Sequence, residues 1–166
     1  MSAAAYVALG SNVGDRRAHL DAAVAALDET PGVTVHAVSS YHETAPVGGP
    51  PGQGPFLNAA AAIETTLDPR ELLMTLQAIE ARAGRVRDVR WAERTLDLDL
   101  LLFGDLILDS AELTLPHPRM AARRFVLAPL VEIAPSAVDP LAGKSVSELL
   151  ITLDASGPTS SSTQMG

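Results

Sequence analysis

Arg94-Thr95-Leu96-Asp97-Leu98-Asp99-Leu100-Leu101-Leu102-Phe103 is the stretch from which the fold is read. Leu96, Leu98 and Leu100 alternate with Asp97 and Asp99. A period of two belongs to a β-strand, whose successive side chains leave opposite faces. The leucines are expected to face a core, and the two carboxylates to stand side by side on the other face. Neighbouring anions repel, and one pKa rises unless something positive sits between them. Mg²⁺ suits such a pair, because it is hard, prefers oxygen, and is commonly held by one or two carboxylates with substrate phosphates. An amphipathic strand with a wet acidic face has the same pattern, and for a bare Asp-x-Asp that plainer reading is favoured roughly three to one. The arginine-dense segment Arg82 to Arg94, just upstream, shifts the balance toward a site.

Working outward, Asp68-Pro69-Arg70-Glu71 reads as a helix start, with Asp as N-cap, Pro in the first position and Glu as capping-box partner. This helix is expected to run to about Ala83 and stop at Gly84. Phe56 to Glu64 precedes it as a strand in spite of its alanines. Gly48 to Pro55 is too rich in Gly and Pro for regular structure and is expected to be a functional loop. Val33 to Tyr41 is a strand and Ala5 to Leu9 another. Between them a helix from about Asp15 to Asp28 places Leu20, Val24 and Leu27 at helical spacing. Downstream, Leu106 to Leu108 and Leu113 to Leu115 read as short strands, Pro116-His117-Pro118 as a break, and Phe125 to Ile133 as a helix.

The resulting order is strand, helix, strand, strand, helix, strand. It predicts an α+β fold with a ferredoxin-like βαββαβ core: an antiparallel sheet, two helices on one face, and additional C-terminal helices. Residues 1–154 are expected to form a single domain, and the Ser/Thr/Gly-rich 155–166 a disordered tail.

Composition narrows the function. Hydrophobic residues make up 47% of the 166-residue chain, enough for a real core. No apolar run approaches bilayer length, so no membrane partner is expected. The chain has no Cys, which removes thiol nucleophiles, disulfides and thiolate zinc sites. A cytoplasmic protein fits. The net charge of -8 argues against nucleic acid. The charge is unevenly placed: Arg82 to Arg124 holds eight arginines against seven acids, and the remainder four basic against thirteen acidic residues. A local basic cluster on an acidic protein suits a small polyanion. The single lysine, Lys144, lies in no P-loop motif.

Arg85, Arg87, Arg90 and Arg94 lie in or beside one loop next to the carboxylate strand. Their guanidinium forks suit phosphate oxygens. Trp91, the only tryptophan, lies in the same loop and is either an anchor or a lid over a planar ligand. His117, followed by Arg119, Arg123 and Arg124, is a candidate phosphate donor. Asn58 offers both donor and acceptor to a heterocycle's edge. His19, His36 and His42 have no ligand spacing. These parts describe Mg²⁺-dependent transfer from a nucleoside triphosphate to a small planar acceptor. The spacing leaves the acceptor open. The alternatives are a nucleotide sensor of the same fold class without turnover, and an RNA-binding sheet, which would need exposed strand aromatics and a basic face.

Arg90-Trp91-Ala92-Glu93-Arg94-Thr95-Leu96-Asp97-Leu98-Asp99-Leu100-Leu101 resembles the signature of the 6-hydroxymethyl-7,8-dihydropterin pyrophosphokinase family of folate biosynthesis. Thr44-Ala45-Pro46-Val47, Phe56-Leu57-Asn58-Ala59 and Leu113-Thr114-Leu115-Pro116-His117-Pro118 resemble further blocks, collinear from Tyr6 to Leu130. The resemblance implies transfer of the β,γ-pyrophosphate of ATP to the pterin hydroxymethyl, with release of AMP. It implies two Mg²⁺ ions on Asp97 and Asp99, with Arg85 and Arg94 as catalytic arginines. Gln77, Glu80, Arg87, Thr114, His117 and Arg123 fall at ATP-side positions. Thr44, Val47, Phe56, Asn58, Trp91, Asp97 and Phe125 fall around the pterin. A monomer acting on small molecules is expected, with the loops Gly48 to Pro55 and Gly84 to Glu93 closing over them. Asp88 and Glu112 depart from basic residues found in some members, and the loop from Arg85 to Trp91 is one residue shorter than in some.

Overall fold

The structure, a computed structural model, describes residues 2–44, 55–84 and 96–162. The chain runs β1 (Ala3–Ser11), α1 (Arg16–Glu29), β2 (Val33–Val38), β3 (His42–Thr44), β4 (Phe56–Thr65), α2 (Pro69–Gly84) and β5 (Asp97–Phe103). Short strands β6 (Leu108–Asp109) and β7 (Thr114–Leu115), a 3-10 turn (Met120–Ala122) and α3 (Arg124–Ile133) follow. The end of the chain forms β8 (Val138–Asp139), β9 (Lys144–Ser145) and α4 (Val146–Ser162).

The main sheet has the order β2-β4-β1-β5 with every neighbouring pair antiparallel, and β3 extends it by pairing with β4. This is the expected split βαβ arrangement. Val7, Leu9, Ile63, Leu98 and Leu100 leave one face and pack with Leu20 and Leu27 of α1 and Leu72, Leu76 and Ile79 of α2. The opposite face contributes Ala60, Leu101 and Leu102 to a second core, closed by Met120, by Val126, Leu127 and Leu130 of α3, and by Val146 and Leu149 of α4. Each fully buried leucine contributes about 1.5–3 kcal/mol. With a core on both faces, the central strand β4 has little room for large side chains, which accounts for its run of alanines at 59–62.

Local chemistry sets the element ends. Asp68 Oδ1 accepts from the Glu71 N–H at 2.8 Å and Glu71 Oε1 from the Asp68 N–H at 2.9 Å, a closed capping box at α2. Asp15 Oδ1 caps α1 through the Ala18 N–H at 3.1 Å. Gly32, between α1 and β2, has φ +86°, and a Cβ there would lie 2.9 Å from Thr66 Oγ1.

Three elements differ from the sequence reading. The strand expected over Val33 to Tyr41 breaks after Val38, because Ser39 satisfies β4 with both backbone and side chain. Its N–H donates to Ala60 O and its Oγ accepts from the Ala60 N–H, each at 2.9 Å. The first short strand of the small hairpin is β6, shifted to Leu108–Asp109. Helix α4 passes the boundary expected after Asp154 and runs to Ser162, with Ser156 Oγ donating to Thr152 O at 3.1 Å along it. Among the described residues no helix is long and apolar enough to cross a membrane.

Candidate active site

The face that carries the second core changes character along its length. Leu100 pairs with Val7 and Leu102 with Tyr6, so Leu101 is an extra residue in β5, a bulge. On one side of it Leu101 and Leu102 both join the core under α3 and α4. On the other side Asp99 and Asp97 occupy the same face, each half-buried. Asp97 lies opposite Gly10, Gly10 opposite Asn58, and Asn58 opposite His42, a single row across four strands. At the usual spacing of neighbouring strands, Asp97 and Asn58 are about 10 Å apart. In the next row Asp99 faces Ala8 and Ala8 faces Ala60, both small.

Gly10 is the floor of this end. A Cβ there would lie 3.2 Å from Asn58 Oδ1 and 3.7 Å from Phe56 Cδ2, so glycine alone leaves the space between amide and ring open. Asn58 is 6% exposed, and its Nδ2 donates to Thr44 Oγ1 at 2.8 Å, which fixes the amide's orientation. Thr44 and Phe56 are themselves cross-strand partners on the same face. The segment leading into β4 is tied to α1, where Arg16 Nη1 donates to Pro55 O at 2.9 Å and Arg16 Nη2 lies 3.6 Å from Glu43 Oε1.

β5 is an edge strand, and its outer backbone groups are covered by the residues that flank the carboxylates. Glu80 Oε2 accepts from the Leu98 N–H at 2.7 Å, reaching round from α2 to the residue between Asp97 and Asp99. The carbonyl of Leu101, freed at the bulge, accepts from the His117 N–H at 2.9 Å. The His117 imidazole is thereby held within electrostatic reach of Asp99, Arg123 and Arg119. Burial pushes it below its ordinary 6.5; Asp99 opposes this, and Arg123 and Arg119 add to the lowering. Its Nδ1 accepts from the Arg119 N–H at 3.2 Å, so the neutral ring carries its proton on Nε2 and can donate there. Arg123 lies over the Phe125 ring, with Cζ 5.6 Å from the centroid, and that ring is 41% exposed at the start of α3.

Asp97, Asp99, Asn58, Thr44 and Phe56 thus share one face, with His117, Arg123 and Phe125 beside it. Gln77 is exposed on α2, across the sheet, and Thr114 is half-buried in β7; neither stands in the row. Arg85, Arg87, Arg94, Trp91 and Val47, with most of both expected loops, lie outside the described residues. Glu112 pairs with Arg70 at 2.9 Å. Gly10, which the glycines and polar residues of Gly10 to Asp15 suggest is the start of a turn, instead continues β1 and joins the site; a glycine after Leu9 in a strand is the signal of a close approach.

Among the described residues no cluster of three or more His, Cys, Asp or Glu could hold a metal. The two carboxylates offer oxygen alone, which fits Mg²⁺ completed by phosphate oxygens and water rather than a closed protein cage.

Residues 6–135 match the family model described as 7,8-dihydro-6-hydroxymethylpterin-pyrophosphokinase (HPPK). A Bacillus subtilis protein named 2-amino-4-hydroxy-6-hydroxymethyldihydropteridine pyrophosphokinase is 53% identical over 133 residues, 80% of this chain and 79% of its own length. A Pseudomonas aeruginosa protein of the same name is 48% identical over 145 residues, covering 87% and 88%. Among solved structures, Plasmodium falciparum HPPK-DHPS wild type with pteroate superposes with a TM-score of 0.73 at 14% identity, over 99% of this chain. This chain spans 44% of that longer one, and at such identity the likeness concerns the fold alone.

Proposed function

The chain belongs to the 7,8-dihydro-6-hydroxymethylpterin-pyrophosphokinase family, and we propose that the row from Asp97 through Gly10 to Asn58 is where its two substrates meet. The reaction transfers pyrophosphate from ATP to 6-hydroxymethyl-7,8-dihydropterin in folate biosynthesis. The hydroxymethyl oxygen gives up its proton and forms a bond to the β-phosphorus, the bond from that phosphorus to the α,β-bridging oxygen breaks, and AMP leaves.

The observation that carries the placement is the open floor at Gly10. It leaves room for a flat ring between the Asn58 amide at one end of the row and the Asp97 carboxylate at the other. Asn58, oriented by Thr44, binds the heterocycle's polar edge, while Phe56 and Phe125 offer aromatic faces for stacking. On the phosphate side, neutral His117 donates from Nε2 to a phosphate oxygen, and Arg123 supplies fixed positive charge. Glu80, by holding the Leu98 N–H, fixes the edge strand that presents both carboxylates. Asp97 and Asp99 are the residues that would hold two Mg²⁺ ions. When bound, the metal neutralises phosphate charge and orients the reacting oxygens. Arg85 and Arg94 complete the catalytic assignment, Arg87, Gln77 and Thr114 the ATP side, and Val47 and Trp91 the pterin side. The protein acts in this reading as a cytoplasmic monomer.

AMP release from ATP, with and without hydroxymethyl-dihydropterin, tests it. Pterin-dependent AMP with Mg²⁺ supports the reading. ATP binding with no AMP release in the presence of pterin replaces it with a nucleotide sensor.

A further inference from the structure

We propose that Glu132 is a positioning residue for the acceptor pocket: its carboxylate fixes Thr44 and Asn58 relative to the helix that presents Phe125. The inference rests on the pterin reading above for what the pocket holds, though not for the coupling itself.

Glu132 belongs to α3, and its carboxylate gathers the chain at the break between β2 and β3. Oε1 accepts from the Ser40 N–H at 2.8 Å. The Ser40 hydroxyl lies 2.9 Å from each carboxylate oxygen, and His42 Nε2 lies 2.5 Å from Oε2. One side chain thus engages three groups that lie 90–92 positions away in sequence. The backbone N–H leads the interactions that hold the Glu132 carboxyl below its ordinary range.

From His42 the connection continues into the pocket. His42 is the cross-strand partner of Asn58. Two residues further along β3, Thr44 Oγ1 accepts from Asn58 Nδ2 at 2.8 Å. On the helix, Glu132 follows Phe125 by seven residues, which is two turns, so the two share one stripe. α3 therefore carries an aromatic face at one end of that stripe and the clamp on β3 at the other. A half-exposed ion pair by itself adds little stability. A carboxylate accepting from a backbone N–H, a hydroxyl and an imidazole fixes geometry instead. Glu132 is not catalytic, because it acts only through His42, Thr44 and Asn58.

The test compares Glu132→Ala, Glu132→Gln and wild type by two measurements. In ligand-free NMR spectra, Glu132→Ala is expected to move the Asn58 side-chain amide and Thr44 methyl resonances. Glu132→Gln, which still accepts from the Ser40 N–H, restores them in large part. By calorimetry, Glu132→Ala weakens hydroxymethylpterin about tenfold and leaves a non-hydrolysable ATP analogue within about twofold, the pattern of a misplaced pocket. Unmoved Asn58 and Thr44 resonances, or equal losses for both ligands, overturn the proposal. Wild type that releases no AMP with pterin present overturns the functional reading instead, and the ligand-free spectra still decide the coupling.

Discussion

The two ends of the sheet face turned away from α1 and α2 are built from the same strands and serve opposite purposes. At one end Leu101, Leu102 and Ala60 lie under α3 and α4. At the other, Asp97 and Asn58 flank the bare backbone of Gly10, with Asp99 in the next row on the same face. β5 supplies residues to both, and the bulge at Leu101 divides them. Leucines at 97 and 99 would each have offered about 1.5–3 kcal/mol if buried. Two carboxylates stand there instead, on neighbouring positions of one face. The difference teaches that stability is collected at the dry end so that charge can be concentrated at the wet one, the usual trade between activity and stability.

Breaking the wet end chemically should have the largest effect. Asp97→Asn or Asp99→Asn is expected to lower turnover by on the order of a thousandfold or more while the fold survives. Steady-state AMP formation at saturating Mg²⁺ measures this, and near wild-type activity in either variant contradicts the metal assignment. Breaking the dry end should do the reverse. Leu127, fully buried between α3 and the sheet, is expected to cost about 2–5 kcal/mol when replaced by Ala. Urea unfolding reads that loss, and turnover per folded molecule should stay unchanged.

Smaller changes sharpen the division within the wet end. Asn58→Ala is expected to weaken pterin binding by about 1–3 kcal/mol, because a buried heterocycle loses its polar partner. Calorimetry showing equal losses for pterin and an ATP analogue would move the pterin away from this amide. The smallest effect concerns His117. Its folded-state pKa is lowered, burial first, so the unfolded chain binds the proton more readily than the folded protein. Its stability contribution is therefore complete above the unfolded value of 6.5 and is lost as pH falls from there toward the folded value. His117→Gln should flatten that part of the stability profile. A slope identical to wild type in urea midpoints taken between about pH 7.5 and 5.5 would remove His117 as its source.

Much of this division is legible in the sequence, for physical reasons that also mark its limits. The alternation of Leu96 to Asp99 has one structural meaning, and the strand and its two faces follow from it. The box at Asp68 and Glu71 is equally local and closes as expected. A second box at the start of α4, where Glu148 Oε1 accepts from the Ser145 N–H at 2.8 Å, is written in Ser145-x-x-Glu148 and was available to the same reasoning. The bulge at Leu101 is not legible, because Leu100-Leu101-Leu102 has no polar residue to reveal a change of face. The break at Ser39 depends on where β4 lies, and the Glu132 clamp joins groups 90–92 positions apart by a rule no local pattern encodes. Gln77 and Thr114, expected on the ATP side, lie outside the row, while Glu80 reaches it through the backbone of Leu98.

Ligand is expected to bind at the wet end of the face and nowhere on the dry end. The shift in thermal unfolding midpoint produced by Mg²⁺, a non-hydrolysable ATP analogue and hydroxymethylpterin together tests it most directly, because ligand binding to the folded state alone raises that midpoint. Wild type, Leu127→Ala and Asp99→Asn should be compared at identical ligand concentrations. Leu127→Ala is expected to start lower and gain as much stabilisation as wild type, and Asp99→Asn to start near wild type and gain little or nothing. A full wild-type gain in Asp99→Asn, or its loss in folded Leu127→Ala, would contradict it.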